Sequence, residues 1–223
     1  MSNLRQATQL TPATLLARLR EGTRTEHAIL ERHPLLQPLI SDPLEFQDYL
    51  KVLAALLAFY QQLEPLLEET LPVECQESGY RYLSRSVLLR ADLEQLTGDR
   101  HSLDTDRVPL LPLPDLSSSD RVIGVLYVLY VLEGATQGGR VIAPRVARLL
   151  AGIELPMEKP ALNGSDGVQY FQLFRHNEWA KLQRVIAQVS RRPHAAGETV
   201  AAAIETFRCL GGYLDYYLNR ECH

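Results

Sequence analysis

Along nearly the whole chain, apolar residues recur at intervals of three and four, not two, and the pattern breaks where proline and glycine gather. That period predicts an all-α protein, a single-domain multi-helix bundle. Thr11 followed by Pro12 reads as a cap with proline at the first helical position, opening a helix that runs to Arg32 before His33 and Pro34 stop it. Asp42, Pro43 and Glu45 read as cap, first residue and capping-box partner of a second helix. Its buried face is Phe46, Tyr49, Leu50, Leu53, Leu57 and Tyr60, and Pro65 is expected to end or kink it. A third helix starts near Ser78 and closes at Gly98, and residues 99–119 form a proline-bearing connector. A fourth helical region begins near Ser119 and passes Gly134, Gly138, Gly139 and Pro144 on its way to Leu150. A loop over 152–167, a helix from Val168 to Arg191, a break at Pro193 and a last helix from Ala195 to Asn219 complete the series.

Val122–Leu132 is rich in β-branched and aromatic residues, which favour strands when taken alone. Its helical neighbours decide for a helix, since a lone strand would leave its backbone groups unpaired. No repeat or linker divides the sequence, so residues 1–223 read as one domain with a flexible stretch at 1–10.

Composition narrows the function classes. With 223 residues, 46% of them apolar, the chain can bury roughly 70% or more of its unfolded surface without metal or disulfide support. A net charge of -4 does not favour nucleic acid or an anionic membrane, so any attraction for an anion must be local. The odd set Cys75, Cys209 and Cys222 suggests neither a disulfide framework nor a zinc or iron-sulfur site, and a reduced, cytoplasmic setting is expected. The first residues lack the marks of a secretory signal, and Val122–Leu132 is shorter than the ~20 residues of a membrane span.

Candidate chemistry appears first on the opening helix. A wheel at 100° per residue puts Leu16, Leu19, Thr23, His27 and Leu30 in one stripe, so His27 is expected to point to the core side. Arg20, Arg24 and Glu31 lie along one flank of that stripe. A histidine so placed is either a core side chain satisfied by one hydrogen bond or a metal ligand oriented by Glu31, with the arginines holding an anion beside it. No Glu-x-x-His pair exists in the chain, which disfavours a di-iron site. Haem needs only one protein histidine, and its propionates account for adjacent cations.

The second feature is glycine inside an apolar helix. Gly134, Gly138 and Gly139 each cost about 1 kcal/mol of helix stability relative to alanine. Close helix packing or a helix end would explain them. So would a backbone that passes directly across a flat ligand, where a Cβ would collide.

Three stretches together resemble the heme oxygenases, and the bacterial biliverdin-producing branch more than the animal one. They are Leu19 to Glu31, Tyr130 to Gly139, and Tyr170 to Arg175, and helix order and length agree over essentially the whole chain. The resemblance implies that His27 is the proximal haem ligand and that Glu31 stands near its other nitrogen. By the same resemblance Gly134, Gly138 and Gly139 belong to the flexible distal helix, Arg20, Arg24 and Arg175 hold propionates, and Tyr130 and Phe207 line the pocket. Animal members carry an aspartate where this chain has Ala135, so the proton route must differ, with Gln137 or backbone-held water as the substitute.

The activity implied is cleavage of haem, at once cofactor and substrate, to biliverdin, carbon monoxide and ferrous iron with O2. With no dinucleotide fingerprint or iron-sulfur motif in the chain, electrons come from a ferredoxin or an NADPH-dependent reductase. A bilin-using photoreceptor is a further expected partner. The rival expectation is a non-catalytic haem binder or carrier on the same scaffold.

Overall fold

A computed structural model describes residues 12–98, 108–116, 121–153, 167–189 and 199–220. Thr11, the 1–10 stretch, most of the connector, the 154–166 loop, Pro193 and Cys222 lie outside them. Eight α-helices and two 3₁₀ segments make up the described regular structure, with no strand among the described residues. They are α1 (Pro12–Gly22), α2 (Arg24–Glu31), α3 (Phe46–Thr70), α4 (Val73–Glu77), α5 (Arg85–Thr97), α6 (Arg121–Ala151), α7 (Glu178–Val189) and α8 (Thr199–Leu218).

The opening helix is in two pieces. Thr23, at φ -105° and ψ 2°, marks the division between α1 and α2; the Leu19 carbonyl takes both its N–H at 3.0 Å and its hydroxyl at 2.8 Å. The second expected helix also begins later than its sequence suggests. Asp42–Pro43 is a cis peptide bond, Glu45 is extended, and Asp42 pairs with Arg145 at 2.6 Å, so no capping box forms. Pro65 sits inside α3 without ending it. Its ring is exposed, and the helix continues to Thr70.

Residues 73–77 form a short helix that the periodicity did not announce, and α5 starts at Arg85, capped by the Ser84 hydroxyl accepting from Val87 N–H. Gly98 closes α5 in the left-handed conformation at φ 79°, as its position predicts. The expected helix over 168–191 is a 3₁₀ segment, Tyr170–His176, followed by α7. Asn177 at φ 57° breaks the two apart. The Asp92 carboxylate takes the N–H groups of Gln169 and Tyr170 at 2.9 and 3.0 Å and fixes where that segment starts.

Val122–Leu132 is helical, inside the unbroken α6. α3 and α6 are each long and apolar enough to cross a bilayer, and most of that length is buried among neighbouring helices. α3 packs on α5 and α8, while α6 packs on α8, α7 and the 170–176 segment. The resulting core is continuous, from Leu19 through Phe59 and Leu129 to Tyr213. α1 rests on α7 and α8, and α2 rests on α8, so α8 holds both the histidine-bearing and the glycine-bearing helices.

Candidate functional site: a histidine edge and a glycine-bearing helix

Leu19, Thr23 and Leu30 are buried as the wheel predicts, but His27 is not: its side chain is 58% exposed. Glu26, only 13% exposed and paired with Arg208 at 3.1 Å, continues the buried line, which turns His27 onto the flank with Arg20, Arg24 and Glu31. The expectation of a core-facing imidazole is therefore corrected to an imidazole on an exposed, charged edge.

On that edge His27 has two defined neighbours. Its Nδ1 is 3.4 Å from Glu31 Oε1, one helical turn along α2. Its ring stands edge-on to Phe207 of α8, with centroids 5.8 Å apart. A carboxylate within reach of one imidazole nitrogen is the kind of partner found behind metal-bound histidines. Arg24 forms an ion pair with Glu21, and Arg20 is exposed on the same side. Arg175 is carried by a segment that packs on α6. It belongs to the 170–176 segment, donates to Gln172 Oε1 at 3.0 Å and stacks over Phe174.

The glycines of α6 differ from one another. A Cβ on Gly139 would come within 2.0 Å of the Phe171 carbonyl oxygen, so this glycine exists to let α6 touch the backbone of the 170–176 segment. Gly138 is exposed, and a Cβ there would meet nothing nearer than Ile142 of its own helix at 3.7 Å. At Gly134 the nearest atoms are those of the Trp179 ring at 3.9 Å. Tyr130, one turn earlier on the same face, packs on Trp179 with centroids 5.1 Å apart. Gly134, exposed Ala135 and Gly138 thus give the middle of α6 a bare flank, while its opposite face is buried. Gln137 is half-buried. It donates to Thr136 Oγ1 at 3.3 Å and accepts from Arg140 Nε at 3.4 Å.

Behind that flank is a polar cluster that sequence reasoning missed. Glu133, the residue before Gly134, is buried and accepts from Arg85 Nη2 at 2.7 Å and from the Tyr80 hydroxyl at 2.8 Å. Arg85 is 1% exposed, its guanidinium lies 4.6 Å from the Tyr82 ring centroid, and its Nε has no partner among the described residues. Glu64 accepts from Arg85 N–H at 2.5 Å, from the Tyr82 hydroxyl at 3.0 Å and from the Ser84 hydroxyl at 2.9 Å, placing a carboxylate at the N-terminus of α5. The Tyr60 and Tyr170 hydroxyls meet at 3.1 Å. Burial holds the pKa of Tyr60, Tyr80 and Tyr170 above the ordinary tyrosine value, so all three are neutral O–H groups near neutrality. The signal available in the sequence was an acid at Glu133 inside an otherwise apolar run, since a buried charge requires a partner.

Among the described residues, no three His, Cys, Asp or Glu side chains gather as a metal-ion site. What the described residues offer is one exposed imidazole with guanidinium groups on the same helical edge and, on α6, a bare flank; a lone imidazole fits a ligand that brings its own remaining metal ligands. No curated protein and no solved structure matches the chain. The family model for heme oxygenase matches residues 13–211, which spans α1 to α8 and includes both the histidine edge and the glycine-bearing helix. The chain belongs to the heme oxygenase family.

Proposed function

We propose that this chain is a heme oxygenase of the bacterial biliverdin-producing type. In this proposal it converts haem to biliverdin, carbon monoxide and ferrous iron with O2 and electrons from a ferredoxin or an NADPH-dependent reductase. The observation that carries the proposal is the His27–Glu31 pair, 3.4 Å apart on an exposed edge that also bears Arg20 and Arg24.

Haem, when bound, supplies both the iron that activates O2 and the ring carbon that is removed. The protein's part follows from its own side chains. His27 would offer its imidazole as the iron ligand, with the Glu31 carboxylate 3.4 Å from Nδ1 as its partner. A neutral imidazole lacks the electron push of a thiolate toward O–O cleavage. Arg20 and Arg24, on the helical edge that carries His27, supply positive charge for propionates, and Phe207 supplies an apolar wall beside the imidazole.

On the other side, the Gly134, Ala135 and Gly138 flank lets a planar ring approach the α6 backbone. That flank presents no ionisable side chain, because Glu133 is turned away into its pair with Arg85. Ordering the water that carries protons is therefore assigned to Gln137, whose amide contacts Thr136 Oγ1 and Arg140 Nε, or to exposed backbone. The setting proposed is cytoplasmic, with a bilin-using photoreceptor drawing on the product.

Ala135 specifically favours a second reading, a haem carrier without turnover. Haem titration followed by ascorbate or a ferredoxin system separates the two. Loss of the Soret band with growth of bilin absorbance is expected, whereas a stable His27-dependent Soret band without bilin establishes the carrier.

A further inference from the structure

We infer that Trp179 is a specificity-determining residue of this site, an aromatic wall that limits how a planar ligand rotates against α6. The inference rests on the haem reading above and adds to it a residue that neither the histidine edge nor the glycine pattern names. Trp179 is the chain's single tryptophan. It lies in the first turn of α7, half-buried, with its ring on Tyr130 at 5.1 Å and two ring carbons 3.9 Å from where a Gly134 side chain would begin.

Its position is held from below. Glu178, the preceding residue, is buried, accepts Arg81 N–H at 2.9 Å and pairs with Lys181 at 2.6 Å, so the first turn of α7 is tied to the segment before α5. The backbone that carries the indole is thereby held, and the ring itself packs on Tyr130. The bare flank of α6 is consequently bounded on one side: Gly138 and Ala135 are open, while Gly134 and Tyr130 face the indole. A disc lying on that flank meets the indole with one edge only. Because a porphyrin's edges differ in their substituents, a one-sided wall selects among in-plane orientations, and the orientation decides which bridge carbon is presented for cleavage.

Two measurements test this independently. In nitrogen-labelled protein the indole N–H of Trp179 gives one cross-peak, and gallium protoporphyrin is added as a diamagnetic, unreactive probe. A ring-current shift of that peak is expected. Binding of the probe with the peak unmoved overturns the inference. In turnover, Trp179→Ala is expected to keep the His27-dependent Soret band while converting one biliverdin isomer to a mixture, and Trp179→Phe is expected to restore the single isomer. One unchanged isomer from Trp179→Ala overturns the inference, and Trp179→Leu serves the same comparison if the alanine variant does not fold. A wild-type protein that binds no protoporphyrin defeats the haem reading itself, and this inference with it. A protein that binds haem without producing bilin leaves the cross-peak measurement to decide.

Discussion

His27 Nδ1 stands 3.4 Å from Glu31 Oε1, a carboxylate one turn away on the same helix. His27→Ala is expected to abolish the histidine-type Soret spectrum on haem titration. Glu31→Gln is expected to weaken haem binding about 10-fold to 100-fold, the usual effect of removing the partner behind a metal-bound imidazole. Unchanged spectra and affinity in both variants would remove the basis of the haem assignment.

Arg20 and Arg24 share that edge with His27 but are solvent-exposed, so each contributes only about 0.2–1 kcal/mol to a contact with an anion. Replacing both by alanine should lower haem affinity several-fold at low salt, with the deficit shrinking as salt is raised. The stability of the ligand-free protein should barely change.

Gly139 and Gly134 should respond in opposite ways to alanine. At Gly139 the new methyl would collide with the Phe171 carbonyl, and a loss of about 1–3 kcal/mol in denaturant unfolding is expected from the forced shift. At Gly134 a methyl has ordinary contact distance to Trp179, and alanine should raise helix stability by up to about 1 kcal/mol while impairing haem binding or turnover. Stability falling at both positions would show that both glycines serve packing alone.

The Arg85–Glu133 pair is buried at both ends. Glu133→Ala strands a guanidinium in the core and is expected to cost about 3–5 kcal/mol, whereas replacing both residues by apolar ones of similar volume should recover most of that loss. A double-mutant cycle in urea measures the difference.

Alkaline pH gives a separate check. The native pKa values of Tyr49, Tyr60, Tyr80 and Tyr170 are raised by burial, and burial also pushes the Cys75 thiol up to about 12. The unfolded chain releases these protons near about pH 9–10 while the folded chain retains them. Stability is therefore full below that range and declines as pH rises through it toward the native values. Urea midpoints that stay flat from neutral pH to about pH 11 would contradict the burial of these hydroxyls.

The parts of the site that were legible in the sequence are those built from one helix. Arg20, Arg24, His27 and Glu31 are related by three- and four-residue steps, and such steps determine a shared edge whatever the rest of the chain does. The side of the stripe on which His27 lies was not legible, because it depends on the break at Thr23 and on Glu26 reaching Arg208, a residue 182 positions later. Gly139 was marked as costly, but its reason is the carbonyl of Phe171, contributed by another segment. Arg85 and Glu133 are 48 residues apart, and no local period links them. The split between the 170–176 segment and α7 was hidden similarly, since Asp92 supplies the backbone partners that start it.

The break at Thr23 leaves α2 only eight residues long, too short to persist as an isolated helix in water. Its anchors are largely on α8: Phe207 against His27, Arg208 with Glu26 and Gly211 beneath Leu30, with Asp215 holding His33 just beyond its end. During synthesis, then, the ligand-bearing turn emerges before its main packing partner, which is complete only when residues 199–220 leave the ribosome. Competence to capture a prosthetic group should arise late and all at once, and a nascent chain arrested before α8 should show none of it.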